Sequence, residues 1–420
     1  MGQDRRTVLI IAEACNPEWT SVPLVGFNIY DSVAAHADVT LVTQVRNRAA
    51  LERRFGTSRR IEFIDSEALA SPFHKLGRIL TLGRGLGWTT RQAMMWLPYL
   101  YFEKLVWKRF RDELLRGEFE LIHRVTPLTP TYPSPIASWC DVPFVMGPLN
   151  GGLPWPKGTA KVRLAEMEWL SYVRGAYKLL PFVKRTYRRA ARIICGSEYT
   201  MASLPRAAAG RTVYMPENGI DPDRFHAKDR QPPSTIKPFR ILFVGRLVPY
   251  KGAHHVIQAY GESTILREQA EVVIVGDGPE KERLSAMINT LGVAERVKLT
   301  GALPQAQVGA MLRESSVFAF PSIREFGGAV VMEAMACGLP CVVADYGGPA
   351  ELITRESGVT IPVGTGIASA LREKLEGLLA EPARLDSMSR AGVEWAIKHY
   401  SWTAKAASIH EIYEQVLRER

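Results

Sequence analysis

Long apolar runs and paired cysteines are both missing from this sequence of 420 residues. No run of eighteen apolar residues occurs, so the sequence predicts no membrane-spanning helix. The five cysteines are odd in number, scattered, and without the second pair or the nearby histidines of a zinc site. This usage argues against a zinc site and favours a reducing, cytoplasmic compartment. Internal repeats and low-complexity tracts are also absent, and the length suits two domains of about 200 residues each.

A complete G-x-G-x-x-G dinucleotide fingerprint is absent as well. Gly26 stands alone in the loop after the first predicted strand, before a helix predicted over 27–36, and is weak evidence for a phosphate loop. Gly276 and Gly278 follow a later predicted strand, but Lys281 occupies the place of the third glycine. No acidic residue about twenty positions further on clearly completes the pattern, which argues against nicotinamide binding.

The net charge of +10 is unevenly distributed along the chain. Residues 1–230 contain 33 basic and 22 acidic residues, a balance of +11, whereas residues 231–420 contain 20 and 21, a balance of −1. Such asymmetry predicts an anionic partner for the first half only.

Two segments of that half, 84–116 and 161–192, interleave aromatic and basic residues. They predict helices that lie on an anionic membrane surface or meet a phosphorylated acceptor. The alternative is core packing with the charged heads in water. No nucleic-acid-binding motif occurs, so nucleic acid is not expected as a partner.

What the sequence does contain is a series of apolar strands that end at glycine, proline and charged residues. The stretch 317–351 predicts a strand, a glycine turn, a helix and a second strand, which form one βαβ unit. Glu325 lies in the turn and Glu333 in the helix, with Gly327 and Gly328 between them. Glycines at a helix start let a phosphate approach free backbone N–H groups. The two carboxylates are predicted to bind hydroxyls on either side of a diphosphate; a first-turn glutamate beside a solvated one is the alternative.

A cationic loop follows the predicted strand RILFV. Gly245 is followed by Arg246 and, five positions later, by Lys251. An arginine and a lysine at a strand end are suited to offset the charge of a diphosphate. Two solvated surface side chains are the alternative.

Several predicted strands of the first half are followed by loops that suit ligand binding. His123 closes one strand, and the glycine- and proline-rich loop 147–158 after the next presents Asn150, Gly151 and Gly152. A proline-rich stretch, 231–238, is the predicted linker between two successive α/β series. A cleft is expected between those series.

From Asn218 to Glu351 the motifs NGID, FVGRLVPYKG, VIVGDGPE, PSIREFGG and GLPCVVADYGGPAE occur in one order and spacing. In that order they resemble the retaining glycosyltransferases of the GT-B fold with an E-x7-E motif, the family 4-like or group 1 enzymes. The resemblance implies an α/β protein with two Rossmann-like domains facing across a cleft. It places an acceptor-side domain at 1–230, a nucleotide-sugar domain at 231–395, and a helix over 396–420 that returns to the first domain.

The resemblance also implies roles for individual residues. Arg246 and Lys251 would hold the donor diphosphate and stabilise the leaving group, Glu333 would bind the ribose, and Glu325 would contact the donor sugar. The remaining donor-site residues would be Asn218, Gly26, Gly245, Gly276, Phe326, Gly327 and Gly328. Asn150, Gly151, Gly152 and His123 would lie on the acceptor side. The family normally needs no catalytic metal, so neither a metal nor another cofactor is expected.

Three departures from the family pattern stand out. The chain has Glu-Phe-Gly-Gly at 325–328 where the family commonly has Glu-Gly-Phe-Gly, one glycine in the first loop instead of two, and no histidine at 147–150. The predicted activity is transfer of a hexosyl residue, with retention, from a UDP- or GDP-sugar to a lipid-linked or glycan acceptor in cell-surface polysaccharide or glycolipid synthesis. The enzyme would be cytoplasmic and peripheral on the inner face of the membrane. The alternatives are a transferase acting on a soluble metabolite, a nucleotide-sugar epimerase, and a non-catalytic protein that binds nucleotide sugars or anionic glycans.

Overall fold

A computed structural model describes residues 5–80, 94–156 and 176–420 of the chain, without the side chains of 74–80, 176, 179 and 181. The chain divides into two compact units. The first comprises the described residues within Met1–Pro154, Arg163–Glu217 and Lys405–Arg420. The second comprises those within Trp155–Val162 and Asn218–Ala404. In the part of the chain that the structure describes, no helix has the length and apolarity needed to cross a membrane.

The first unit is built on a seven-stranded parallel sheet in the order β3-β2-β1-β4-β5-β6-β7. Most of its strands are buried on both faces, as parallel strands covered by helices must be, and they therefore read as apolar runs. The strands are β1 (Thr7–Ala12), β2 (Asp38–Gln44), β3 (Arg60–Ile64), β4 (Leu121–Thr126), β5 (Phe144–Leu149), β6 (Ala190–Cys195) and β7 (Thr212–Tyr214). The helices are α1 (Val22–Ala34), α2 (Arg48–Phe55), α3 (Glu67–Leu80), α4 (Trp96–Leu115), α5 (Pro181–Arg189) and α6 (Glu198–Ser203).

The second unit has a six-stranded parallel sheet in the order β10-β9-β8-β11-β12-β13. Its strands are β8 (Phe239–Val244), β9 (Ala270–Val275), β10 (Val297–Gly301), β11 (Val317–Phe320), β12 (Cys341–Ala344) and β13 (Gly358–Ile361). Its helices are α7 (Ala253–Gly261), α8 (Thr264–Gln269), α9 (Lys281–Thr290), α10 (Gln305–Arg313), α11 (Ala329–Ala336), α12 (Gly348–Leu352), α13 (Ile367–Ala380) and α14 (Pro382–Tyr400). Helix α15 (Trp402–Arg418) begins in this unit and continues in the first.

The strand order of the second unit creates a switch point between β8 and β11. From β8 the chain builds outward to β9 and β10, then returns to β11 on the other side of β8 and builds outward to β13. The loops after β8 and β11 therefore lie on the two sides of this point, at the carboxyl edge of the sheet. Open α/β sheets bind ligands at such a point.

The predicted pair of successive α/β series with parallel strands is confirmed. The chain passes from the first unit to the second after Glu217, whereas the proline-rich stretch had placed the boundary at 230. Ile220 and Phe225 are buried in the core of the second unit. The residues that directly precede the proline-rich stretch therefore belong to the second unit. The crossing between Ala404 and Lys405 follows from the parallel bridge of Ile220 with Ser401 and from packing of Trp402 against Gly219.

Residues 405–420 complete the first unit. Arg6, just before β1, binds Glu414 at 2.7 Å and Glu120 at 2.9 Å. The Tyr413 hydroxyl lies 2.6 Å from Nδ1 of His123, and Lys405 donates a hydrogen bond to the carbonyl of Pro216. The last described helix is therefore anchored by buried polar contacts as well as by packing.

The prediction that Gly26 lies in a loop is wrong. Helix α1 begins at Val22, with Pro23 in its first turn, so Gly26 is a helical residue rather than part of a phosphate loop. A Cβ at Gly26 would lie 2.2 Å from the carbonyl oxygen of Ala14. Glycine at this position lets α1 pack directly on the backbone that follows β1.

The two basic-aromatic segments are only partly described. Of 84–116, helix α4 buries Tyr99, Phe102 and Val106 in the core and leaves Lys104 and Lys108 exposed, as the packing alternative requires. Residues 84–93 and 161–175 lie outside the described residues. All five cysteines are buried and free of disulfides.

Candidate functional site

The loops after β8 and β9 run side by side because Gly276 allows a close backbone approach. The N–H of Gly245 donates to the carbonyl of Val275 at 2.9 Å, and the N–H of Leu247 donates to that of Asp277 at 2.9 Å. Gly276 has φ of +144°, and a Cβ there would lie 1.9 Å from the carbonyl oxygen of Gly245. The structure therefore gives Gly276 a packing role that fixes the loop carrying Arg246.

Lys251 and Glu325, predicted from separate motifs, form an ion pair at the switch point. Lys251 ends a short turn after β8, and Glu325 lies in the loop after β11. Their side chains are 17% and 20% exposed, so the ion pair is largely shielded from solvent but still accessible to a ligand. The Lys251 ammonium also lies 5.2 Å from the centre of the Phe320 ring, a cation–π contact.

The electrostatic environment weakens the charge on Lys251 without removing it. Burial lowers the pKa of Lys251 to about 8, and the nearby Arg246 adds to the lowering. The carboxylate of Glu325 favours the charged form, so we take the ammonium to predominate at neutral pH. Arg246 itself is exposed. Two cationic groups therefore stand at the carboxyl end of β8, where an anion would relieve their repulsion.

Glu333 lies on α11, the helix that follows the glycine turn. Burial raises the pKa of its carboxyl from the ordinary 4.5 to about 7. Among the described residues, no hydrogen bond or ion pair reaches its side chain. Gly328 precedes the helix with φ of +50°, and a Cβ there would lie 2.8 Å from Leu352. The first turns of α11 thus combine backbone N–H groups with a carboxylate that has no hydrogen-bond donor among the described residues.

Replacement of Glu333 by glutamine is expected to stabilise the free protein and to weaken nucleotide binding. Because the folded-state pKa is raised, ionisation of Glu333 opposes folding, and this cost grows between pH 4.5 and about 7 and is full above that. Allowing for the part of the carboxylate open to water, the gain at pH 8 is about 1–2 kcal/mol, and it is smaller at pH 5.

Urea unfolding at pH 5 and pH 8 measures this gain, and calorimetric titration with UDP and GDP measures the affinity. Glu282→Gln, an exposed change on α9, is the control and should stay within about 0.5 kcal/mol of the parent. An equal gain for Glu333→Gln at both pH values would contradict the assignment of a destabilising carboxylate.

Asn218 and the nearby acids form a turn. Asn218 is the first residue of this part of the second unit, and its side chain makes no hydrogen bond with another described residue. The carboxylate of Asp221 accepts from the N–H of Asp223 at 3.0 Å and pairs with Arg224 at 3.4 Å. These contacts give the acids a structural role in the turn.

His123 is enclosed in the first unit. It is fully buried in β4, and its Nε2 donates to the carbonyl of Gly147 at 2.8 Å, so Nδ1 accepts from the Tyr413 hydroxyl. Burial lowers the pKa of His123 to about 4, which keeps the ring neutral. Because both ring nitrogens of His123 make hydrogen bonds within the first unit, the side chain connects β4, β5 and α15. It has no ring nitrogen left to bind a sugar acceptor.

Asn150 belongs to a buried polar network in the first unit. Its Nδ2 donates to Glu217 at 2.7 Å, and its Oδ1 accepts from the N–H of Gly151 at 2.8 Å and from Ser197 at 3.3 Å. Gly151 and Gly152 have φ of +141° and +85°, conformations that favour glycine. The side chain of Asn150 therefore fixes the loop, and the backbone of the two glycines is what the loop can offer a ligand.

Sequence reasoning missed a cavity of about 580 Å³ in the first unit, at the carboxyl ends of β1, β2 and β4. Its lining includes the ion pair of Glu13 with Arg46, at 3.0 Å, together with the aromatic side chains of Trp19, Tyr99 and Tyr132. These residues are scattered over four segments of the chain. Only the strand order brings them together, so no local motif could have signalled the cavity.

Arg324 and Trp155 were also missed. Arg324 is buried beside Glu325, and its guanidinium carbon lies 4.4 Å from the centre of the Trp155 ring and 5.5 Å from that of Phe326. Trp155 stands between two prolines in the loop 147–158, and this position was the available sequence signal. The interpretation of that loop rested on its glycines instead.

Known proteins resemble the chain in sequence and in fold. A family model described as glycosyl transferases group 1 matches residues 225–395. A 2-deoxystreptamine glucosyltransferase of Streptomyces kanamyceticus is 29% identical over 278 residues, which cover 63% of this chain and 72% of that one. A GDP-mannose-dependent alpha-(1-6)-phosphatidylinositol monomannoside mannosyltransferase of Mycolicibacterium smegmatis is 30% identical over 255 residues, covering 56% and 66%.

The likeness in fold extends over both units. The crystal structure of Anabaena Alr3699/HepE in complex with UDP superposes with a TM-score of 0.65 at 18% identity and covers 98% of this chain and all of that one. A sequence identity this low establishes the fold alone. The group 1 match lies within the second unit, which carries the Lys251–Glu325 ion pair. Residues 225–395 therefore match the group 1 glycosyltransferases, and the chain has the two-domain α/β GT-B fold.

Proposed function

We propose that the chain transfers a hexosyl residue from a UDP- or GDP-linked sugar to an acceptor with retention of configuration. The observation that carries the proposal is the convergence of Lys251, Glu325 and Arg246 at the switch point of the second sheet. Glu333 and the start of α11 complete a site with cations for a diphosphate and acceptors for hydroxyl groups. The names of two relatives, a glucosyltransferase and a GDP-mannose-dependent mannosyltransferase, support transfer of a hexosyl residue, and the second supports a nucleotide-sugar donor.

In the proposed mechanism the chemistry is electrostatic. Negative charge develops on the diphosphate as the glycosidic bond breaks, and the fixed charges of Lys251 and Arg246 stabilise it. Glu325 orients Lys251 through the ion pair, and its carboxylate can also accept a hydrogen bond from a hydroxyl of the donor sugar. The acceptor attacks from the face that the diphosphate leaves, and the departing phosphate takes the acceptor's proton. No metal is needed in this scheme, because protein cations take its place.

The acceptor is proposed to be lipid-linked or a glycan of the cell surface, bound by the first unit at a cytoplasmic membrane face. The cavity of about 580 Å³ offers aromatic faces and paired charges, which suit a hydroxylated ring. The mannosyltransferase relative acts, by its name, on a phosphatidylinositol glycolipid. A soluble acceptor is the second candidate, because the name of the other relative describes a glucosyltransferase for 2-deoxystreptamine.

Incubation with a panel of UDP- and GDP-sugars tests the donor class and the stereochemistry. One donor should raise the unfolding temperature and release its nucleoside diphosphate, and the product should keep the donor's anomeric configuration by NMR. An inverted product would overturn the retaining mechanism. Stabilisation by a donor without any release would favour a binding protein, and release of an epimerised sugar would favour an epimerase.

Helix α5 supports the membrane part of the proposal. Phe182 is 59% exposed and Leu180, just before the helix, is 40% exposed, and they stand among exposed Lys184, Arg185 and Arg188. An apolar side chain among basic ones is typical of a helix that lies in a membrane interface.

The double variant Lys184→Glu, Arg185→Glu is expected to lose binding to anionic vesicles. Each basic residue contributes about 1 kcal/mol near such a surface, so removing two lowers partitioning at least about thirty-fold. Flotation with phosphatidylserine vesicles at low and high salt measures this, and binding of the parent should weaken at high salt. The double variant Arg390→Glu, Lys398→Glu, on exposed positions of α14, is the matched control. Absence of binding by the parent at low salt would refute the membrane proposal.

A further inference from the structure

Trp155 covers a buried positive charge in the second unit. Arg324 is 8% exposed, and its guanidinium carbon lies 4.4 Å from the centre of the indole and 5.5 Å from the centre of the Phe326 ring. A buried cation is costly unless nearby groups replace the water it loses. Two aromatic rings within 6 Å supply such an environment, and cation–π contacts are strongest where water is excluded.

The same indole lies against a second loop. The ring centres of Trp155 and Tyr250 are 6.0 Å apart, and the planes stand at 86°, an edge-to-face contact. The carbonyl of Tyr250 accepts from the N–H of Ile323 at 2.9 Å and from the hydroxyl of Ser322 at 3.3 Å. The loops after β8 and β11 are thus joined by hydrogen bonds and share one aromatic side chain.

The two residues that Trp155 contacts are sequence neighbours of the ion pair. Tyr250 is the residue immediately before Lys251, and Arg324 is the residue immediately before Glu325. Trp155 therefore packs against the neighbour of each member of the ion pair. Both members sit in loops, whose backbone the sheet alone does not fix.

We propose that Trp155 is a positioning residue for the Lys251–Glu325 pair. The indole sets the separation of the two loops and so holds the ammonium and the carboxylate in contact. What the pair does for a donor rests on the proposed function, but the positioning itself does not. Trp155 acts on the pair through Tyr250 and Arg324, the two neighbours that its ring contacts.

Loss of the indole is expected to reduce turnover more than nucleotide affinity. Misplacement of a reacting or charged group by about 1 Å costs up to about a hundredfold in rate. Trp155→Leu should therefore lower kcat ten- to a hundredfold. The Kd of the nucleoside diphosphate should change less than threefold, because Arg246, Glu333 and the start of α11 stay in place. Trp155→Phe keeps an aromatic face toward Arg324 and should restore most of kcat.

Amine labelling of Lys251 tests the positioning without any substrate. The full-length protein is treated with acetic anhydride, and acetylation of Lys251 is followed by peptide mass spectrometry. Trp155→Leu should raise the labelling rate of Lys251 at least threefold, because the ammonium loses its fixed partner, and Trp155→Phe should raise it less. Trp139→Leu is the matched control, since Trp139 is an exposed tryptophan of the first unit that packs on Trp107.

The outcomes separate the positioning role from the proposed function. Unchanged labelling of Lys251 in both Trp155 variants would overturn the inference, whatever the activity. Raised labelling in a chain that turns over no nucleotide sugar would keep the positioning role and refute the proposed function. A kcat that Trp155→Phe fails to restore, with both variants folded, would also overturn the inference. Should Trp155→Leu fail to fold, the labelling and kcat of Trp155→Phe decide, and values equal to the parent's would count against the inference.

Discussion

Lys251→Ala is expected to lower nucleoside-diphosphate release from the donor by about 10²- to 10³-fold. The ammonium is held at the carboxyl end of β8 by Glu325 and is partly desolvated. A charge that is fixed and shielded from water stabilises a developing anion without reorganisation, which is why its removal affects the rate so strongly. The loss should appear in kcat, because Arg246 and Glu333 still bind the nucleotide.

The measurement is a coupled assay of UDP or GDP release with the donor that the panel identifies. Lys281→Ala is the matched control, because Lys281 is an exposed lysine of the same unit, at the start of α9, that pairs with Asp277 in the loop after β9. Equal release by the parent and by Lys251→Ala would refute the catalytic role. The parent's kcat/KM should also fall as the pH rises above about 8, where the free enzyme loses the Lys251 proton.

Gly276→Ala is expected to destabilise the second unit by about 3–5 kcal/mol. Two costs add at this position. The backbone has φ of +144°, which alanine rarely adopts, and the new Cβ would lie 1.9 Å from the carbonyl oxygen of Gly245. That oxygen belongs to the backbone just after β8, which is hydrogen-bonded to β9, so it cannot move aside as a flexible side chain would.

Gly364→Ala separates the two costs. Gly364 has φ of +136°, close to that of Gly276, but a Cβ there would meet no atom within 4 Å. Its substitution should cost only the conformational strain, about 1–3 kcal/mol. Urea unfolding of the two variants measures both, and equal losses would show that the approach to Gly245 is not a constraint. A shift of the loop after β8 should also weaken UDP or GDP binding in Gly276→Ala alone.

The chemistry of the candidate site could be predicted from the sequence more fully than its geometry. Charged residues and glycines at the ends of apolar runs identified Lys251, Glu325 and Glu333, because parallel sheets gather their strand ends on one edge. The contact of Lys251 with Glu325 could not be predicted, since it depends on β8 and β11 being neighbours in the sheet. Nothing local encodes that adjacency.

The roles of residues in the first unit were harder to predict from the sequence, and the reason is physical. All six residues of β4 are buried, so its sequence shows no alternation that would tell which face His123 occupies. The polar pattern of Asn150 likewise does not reveal that its partners, Glu217 and Ser197, lie far along the chain. Gly26 follows Pro17 and Pro23 in the sequence, which favours a loop, whereas the close approach of Ala14 requires a glycine within helix α1.

The anchoring of residues 405–420 has a consequence for synthesis on the ribosome. The partners of Arg6 and His123, namely Glu414 and Tyr413, are translated after nearly all of the second unit. A nascent chain therefore carries an unfinished first unit, with a buried histidine still lacking its hydroxyl partner, while residues 218–404 already have the strands of their own sheet. The half of the protein made first is the half completed last.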